Sequence, residues 1–379
     1  MSGTSLDGVD AALVELRPRG ESYAFELQRF VTIPFEDALR RRLENALPPQ
    51  AGSVAATAEL HADVGRAFAR AALAAAGDDT IRTIDFVASH GLTIYHDGPR
   101  ATTLQIGRPY DTRDALRATV VWDFRSADCA LGGEGAPLVP LVDALLLASG
   151  EEDRIAVNLG GIANLTILRR GAPPDDALAF DSGPGMMLLD AFVAQRTGEP
   201  FDRNGRYTRA GTPDRDLLAR LLADSYFAKE PPKSTGRERF GTQVLEIHRS
   251  ALERLSLEEG CATLAAFTVE PLAAAIRRYA GGEGRVVVAG GGARNGALLD
   301  MLRIAVPRAK VETSAEFGLD PDAKEAIAFA ILGYETLRGR TANLPRVTGA
   351  RQRAVLGSIV PHELPELLAK IAREVEANG

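Results

Sequence analysis

The chain has 379 residues, 45% of them hydrophobic and 25% charged, with a formal net charge of -7. That length exceeds one comfortable core and predicts about two domains, while the acidic balance argues against nucleic acid as a partner and leaves room for a local basic pocket for one small anion. Cys129 and Cys261 lie too far apart for a disulfide framework and fit a reducing cytoplasm. The acidic first residues lack a secretory leader, and no apolar run is read as long enough to span a membrane.

In chain order, a Gly/Ser/Thr-rich turn, MSGTSLDG, comes first, followed by DAALVEL and YAFELQRFVTIPF, which read as short strands. The Ala-rich stretch 54–76 places Leu60, Val64, Phe68 and Ala72 at helical spacing, and Gly77 ends it. IDFVASHG and TVVWDFR read as buried strands, and strands alternating with helices predict α/β architecture. His90 and His96 have no metal-ligand spacing, and a structural zinc is disfavoured.

At LGGEGAPLVP, residues 131–140, glycines and prolines interrupt the pattern, and the domain boundary is placed there. Beyond it, RIAVNLGGIANLTILRR reads as a hairpin around Gly160 and Gly161. LAFDSGPGMMLLDAFVAQRTG reads as strand, loop and helix, and GRVVVAGGGARNGALLDMLRIA as strand, triple glycine and helix. The tail from Leu364 is helical by pattern. The expected domains are residues 1–133, joined by 352–379, and residues 134–351.

Five motifs carry candidate chemistry. SGTSLDGVD supplies small side chains and a tight turn that can wrap backbone N–H groups around a phosphate, with Asp7 or Asp10 able to hold a metal's water shell. NLGGIANLT offers the same ingredients in the other half. VVVAGGGARN brings bare backbone up to a ligand, although Asn295 breaks the dinucleotide fingerprint and no Walker sequence is present. FDSGPG puts Asp181 at a strand end, where a carboxylate can act as general base or simply cap a helix. Glu325, near a helix start, is by itself an ordinary first-turn acid. Two phosphate-type hairpins, a triple glycine and a strand-end acid together describe a two-lobed phosphotransferase.

The order of these motifs resembles the sugar kinase, Hsp70 and actin superfamily, and within it the anhydro-N-acetylmuramic acid kinase family. MSGTSLDGVDAAL, SHGLTIYH, TLQIG, VVWDFRSAD, GGEGAPLVP, NLGGIANLT, FDSGPGMMLLD, DRNG, PPKSTGRERF, AGGGARN, PDAKEAIAFA and NLPRVTGA carry the resemblance across almost the whole chain. It implies a two-lobed actin-like ATPase fold with nucleotide and sugar in the interdomain cleft. It also implies a cytoplasmic, homodimeric enzyme of cell-wall recycling that uses ATP, Mg2+ and water on a small anhydro amino sugar, with neither nucleic acid nor membrane as partner. Carried over by motif, Asp181 is the catalytic aspartate. Gly3, Thr4, Ser5, Leu6, Asp7, Gly8, Val9 and Asp10 form the first ATP segment, with Asp7 reaching the metal through water. Asn158, Gly160, Gly161 and Asn164 form the second. Gly290, Gly291, Gly292 and Asn295 lie on the adenosine side, and His90, Arg125 and Glu325 contact substrate. The PKSTGRE loop is a hallmark of the family with no role that the sequence supplies.

Two departures are Leu92, where the family usually has Gln, and Met186, where it has Asn. They keep open a kinase of the same fold acting on another anhydro or amino sugar. A non-catalytic actin-like ATPase switch is a further alternative, against which the retained Asp181 speaks. In the resembling family a short apolar strand ends at the methionine of the first turn, so Met1 is read as an internal methionine of a longer natural product.

Overall fold

The computed structural model describes residues 1–3, 6, 8–20, 22–47, 52–80 and 84–378. Thr4, Ser5 and Asp7 of the first ATP segment lie outside the described residues. The chain forms two compact units, Met1–Leu146 with Glu325–Gly379, and Leu147–Lys324.

The first unit opens with a long antiparallel pair, β1 (Gly8–Arg19) and β2 (Ser22–Pro34), which turns at Gly20 with a φ of 59°. β2 matches the predicted YAFELQRFVTIPF within one residue, whereas β1 runs past DAALVEL at both ends. Continuous pairing carries polar residues such as Arg17 and Arg19 along with the apolar ones. The helix Val54–Thr80 packs on this hairpin through Leu60, Val64 and Phe68, and φ turns positive at Gly77, the predicted stop. Then come β3 (Phe86–Ser89), the antiparallel pair β4 (Leu92–Asp97) and β5 (Thr102–Ile106), and β6 (Thr119–Trp122), which lies parallel to β3.

The second unit is built on one five-stranded sheet. β7 (Arg154–Leu159), β8 (Ile162–Leu168) and β9 (Leu178–Pro184) run as an antiparallel meander. β10 (Glu283–Ala289) and β11 (Arg308–Thr313) add in parallel on the far side of β7, giving the order β11-β10-β7-β8-β9. Against it packs the helix Leu257–Ala280, which starts at a Ser256/Glu259 capping box and stops at Gly281, φ 72°. This helix is long and apolar enough to cross a membrane, contrary to the expectation from sequence, but its apolar stretch is 78% buried within the unit's core. The chain then returns to the first unit, where β12 (Ser358–Val360) pairs antiparallel with β6.

In the second unit β7 joins the antiparallel run to the parallel pair. In the first, among the described residues, β1–β2 and β12-β6-β3 are separate sheets, and a cavity of about 620 Å3 lined by β1 and β3 lies between them. Met1 and Asp10 exchange backbone hydrogen bonds at one end of it.

The unit boundaries differ from those expected from composition, because residues 134–146 and 325–351 belong to the first unit. The glycines at 131–140 serve close packing rather than a linker. A Cβ on Gly133 would stand 2.2 Å from Asp128 Oδ2, and one on Gly135 2.6 Å from Cys129 Sγ. Asp128, fully buried, accepts hydrogen bonds from the Gly135 N–H at 2.9 Å and from Asn343 Nδ2 and Thr348 Oγ1 at 2.7 Å each. Those bonds fasten the segment NLPRVTGA to the first unit.

Candidate active site

Strand register assembles the second unit's candidates. Asn158 on β7 stands opposite Asn164 on β8, and Asn164 stands opposite Asp181 on β9. Directly paired residues in a sheet present their side chains to one face, so the two amides and the carboxylate form a polar row across three strands. All three are half-buried. On the other side of Asn158, Ala289 is its parallel partner, and β10 ends there, so Gly290–Gly292 continue from the same level of the sheet.

Three glycine segments meet beside this row. The Gly185 and Met186 N–H groups donate to the Gly161 and Gly160 carbonyls at 3.0 and 2.8 Å. A Cβ on Gly185 would fall 2.1 Å from Gly160 O, and one on Gly290 2.6 Å from Asn158 Oδ1. Gly291, by contrast, has nothing within 4 Å of its missing Cβ, which leaves bare backbone open for a ligand to lie against. Asn295 caps the helix Gly296–Ala305, its Oδ1 accepting from the Leu298 N–H at 3.1 Å, while its Nδ2 is buried without a hydrogen-bond partner. At 3% exposure its side chain shapes this corner from behind. Met186 is also buried, with its sulfur 3.0 Å from the position of a Gly292 Cβ, so this side of the corner is closed by an apolar contact.

Asp181 itself is held by residues to which the sequence assigns no role. Its N–H donates to the Lys233 carbonyl at 3.3 Å, its carbonyl accepts from the Tyr226 hydroxyl at 2.8 Å, and its Oδ2 accepts from the Thr235 N–H at 2.9 Å. Lys233 and Thr235 are the K and the T of PKSTGRE. Burial, and then the Asp181 charge, push the Tyr226 phenol well above its ordinary value, so it stays a hydrogen-bond donor.

In the first unit the described part of the opening segment is tightly fixed. Leu6 and Val9 are buried in the hydrophobic core, so any contact they make to a phosphate is through backbone. Gly8 is required by close approach, since a Cβ would meet Ile33 O at 2.5 Å, and Ser2 Oγ donates to its carbonyl at 2.7 Å. The Asp10 carboxylate accepts from Thr32 Oγ1 at 2.6 Å. Leu92 is 1% exposed and belongs to the same core.

The first unit's other candidates form one cluster. Arg125 Nε donates to His90 Nε2 at 3.0 Å and its Nη1 to the Gly135 carbonyl at 2.8 Å. The other ring nitrogen of His90 lies 3.0 Å from the Gly91 carbonyl, which makes Nδ1 the protonated one. The ring packs on Phe329, 4.6 Å between centroids. Burial first, and then the Arg125 charge, hold the imidazole well below its ordinary pKa, so it is neutral. Burial also lowers the Arg125 guanidinium, opposed chiefly by Glu325, an exposed residue in the first turn of the helix Lys324–Leu337. Asp128, three residues beyond Arg125, ties the Gly135 loop in place, a node that no sequence motif marks. Among the described residues no group of three or more His, Cys, Asp and Glu side chains forms a metal cluster.

An antiparallel meander continued by parallel strands, with glycine turns and an acid ranged along one end of the sheet, defines a kinase-like lobe of the two-lobed, α/β actin-like ATPase class. The family model described as anhydro-N-acetylmuramic acid kinase matches residues 1–362, and the chain belongs to that family. Curated relatives under that name include those of Salinibacter ruber, 43% identical over 95% of this chain and 94% of the relative, and Xanthomonas axonopodis pv. citri, 44% identical over 95% and 96%. That of Streptomyces coelicolor is 41% identical over 99% and 96%. Among solved structures, a ROK family glucokinase from Streptomyces griseus in complex with glucose and AMPPNP aligns with a TM-score of 0.34 at 16% identity. It covers 85% of this chain and 99% of its own.

Proposed function

We propose that the chain is an ATP-dependent kinase that opens 1,6-anhydro-N-acetylmuramic acid with water and phosphorylates O6, giving N-acetylmuramic acid 6-phosphate and ADP in cell-wall recycling. Family membership over residues 1–362 supports the substrate. The observation that carries the chemistry is the row Asn158–Asn164–Asp181 beside a glycine corner with open backbone.

In this reading Asp181 takes a proton from water as the water oxygen bonds to C1 of the sugar. The C1–O6 bond breaks, and its electron pair becomes the O6 nucleophile, which bonds to the γ-phosphorus as ADP departs. One proton leaves through Asp181, so atoms and charge balance. Asn158, Gly160, Gly161 and Asn164 are the phosphate segment of the second unit and Gly3 to Asp10 that of the first, and Gly290–Gly292 with Asn295 shape the adenosine side. Arg125, oriented by His90 and Gly135, and Glu325 bind the sugar. Mg2+, when bound with the nucleotide, neutralises charge on the β- and γ-phosphates. The Asp10 carboxylate, fixed by Thr32, suits a contact to its water shell, and Asp7 is the other candidate. Cys129 and Cys261, both buried free thiols, accord with a cytoplasmic protein, and the homodimer of the resembling family completes the proposal.

The test is Asp181→Asn, which keeps the shape and removes the base. Sugar-dependent ADP release is expected to fall by roughly 100-fold or more with ATP affinity unchanged. Undiminished turnover would sink the assignment.

A further inference from the structure

The PKSTGRE loop has no chemistry of its own in the mechanism above, yet its backbone is fastened to the outer edge of β9, the last strand of the sheet. A sheet edge has backbone groups with no neighbouring strand. At Asp181 those groups are filled in turn by the Lys233 carbonyl and the Tyr226 hydroxyl, and the Thr235 N–H goes to the side chain.

The loop is anchored at both ends. At its base Arg239 Nε donates to Asp224 Oδ1 at 2.8 Å, and Asp224 also accepts from the Tyr226 N–H at 2.8 Å. Phe227 and Phe240 stack at 5.6 Å and pack edge-on against Phe267 of the core helix Leu257–Ala280. At its tip Lys233 Nζ lies over the Tyr226 ring at 4.7 Å and the Phe180 ring at 5.7 Å, bridging the residue before Asp181 to the one that holds its carbonyl. A loop pinned this way is a rigid abutment for one carboxylate.

We propose that residues 224–239 form a positioning clamp for Asp181, in which the Thr235 N–H fixes the carboxylate rotamer and favours its charged form. The proposal rests on Asp181 being the general base. A hydrogen bond donated to a carboxylate stabilises the ionised state, so losing it must shift the pH at which the base becomes available. Thr235 is a positioning residue, and the group that matters is its backbone N–H rather than its hydroxyl, which is buried without a partner.

Substitution at one position separates the two groups. Thr235→Pro deletes the N–H, and Thr235→Ala keeps it. In Thr235→Pro, kcat is expected to fall about 10- to 100-fold, the KM for ATP to hold, and the acid limb of the kcat/KM profile to move up by about one pH unit. Thr235→Ala is expected to keep the wild-type acid limb. Because proline can disturb folding, Tyr226→Phe and Arg239→Gln serve as independent probes from the loop's other anchors, checked by thermal melting. Each is expected to lower kcat with little change in the KM for ATP. Unaltered kcat and acid limb in a folded Thr235→Pro, or the same upward shift in Thr235→Ala, would overturn the clamp. Asp181→Asn measured alongside keeps the two ideas apart. If it abolishes turnover while Thr235→Pro changes nothing, only the clamp fails; if it retains turnover, the base assignment fails first.

Discussion

His90 shows how one buried side chain ties function to pH. Its imidazole is neutral in the folded protein because burial and the Arg125 charge oppose protonation. The unfolded chain protonates the same group below about pH 6.5. Below that pH the unfolded state therefore binds more protons than the folded one, and stability falls as pH falls. His61, His96 and His248, also lowered by burial, act with the same sign. His90→Gln keeps an acceptor for Arg125 and removes the titration. Its denaturation free energy is expected to change less between pH 6.5 and pH 5.5 than that of the parent, by up to about 1 kcal/mol. Chemical denaturation at the two pH values measures this, and an undiminished slope would place the acid sensitivity elsewhere. At this scale the sequence is readable where a residue's neighbours announce its setting. Asp181 follows the apolar Leu178–Phe180 and precedes glycines, although it lies within β9 rather than at the expected strand end, because pairing with β8 continues to Pro184, and Asn158 and Asn164 flank a Gly-Gly turn. Asp128 is not readable, because its three partners come from segments seven, 215 and 220 residues away. Thr235 is hidden for another reason. It acts through its N–H, which every residue but proline possesses.

At the scale of elements, the glycine corner of the second unit makes two substitutions behave oppositely. Gly185→Ala would drive a methyl group to 2.1 Å from the Gly160 carbonyl oxygen, a backbone atom with no freedom to move aside. It is expected to destabilise the second unit by about 2–4 kcal/mol. Gly291→Ala meets nothing within 4 Å, and its stability is expected to match the parent within about 0.5 kcal/mol while ATP affinity drops, because the methyl group occupies the space offered to the nucleotide. Urea denaturation and nucleotide titration of the two variants distinguish packing from binding. Wild-type affinity in a folded Gly291→Ala would remove this glycine from the nucleotide site. The strands carrying the corner are legible as apolar runs ending in glycine. Their register is not, and register is what sets Asn164 beside Asp181. The helix Leu257–Ala280 is hard to see in the sequence because its small residues and Pro271 blur the apolar run that its burial requires.

Across the whole molecule, each unit begins with a glycine-bearing hairpin and includes parallel strands. The hairpin around Gly160 and Gly161 is legible in the amino-acid order, whereas the first unit's β1–β2 hairpin turns at Gly20, which no motif singled out. The boundary lies elsewhere than composition suggests, since glycine and proline often mark a linker, whereas at 131–140 the glycines allow the chain to pass close to Asp128. The chemistry asked of the molecule is also a whole-molecule property. Opening an anhydro bridge needs a base for water and a phosphoryl acceptor created by the same bond cleavage, and neither a phosphate cradle nor an acid alone supplies both. The most direct test follows the water oxygen. The chain is incubated with 1,6-anhydro-N-acetylmuramic acid, ATP and Mg2+ in 18O-water, quenched early, and the sugar product is weighed by mass spectrometry. The account requires a product that has gained one phosphoryl group and one water, with 18O in the sugar and none in the phosphoryl group. A phosphorylated sugar that keeps its bridge, or 18O appearing in free phosphate while the sugar is unchanged, would contradict it.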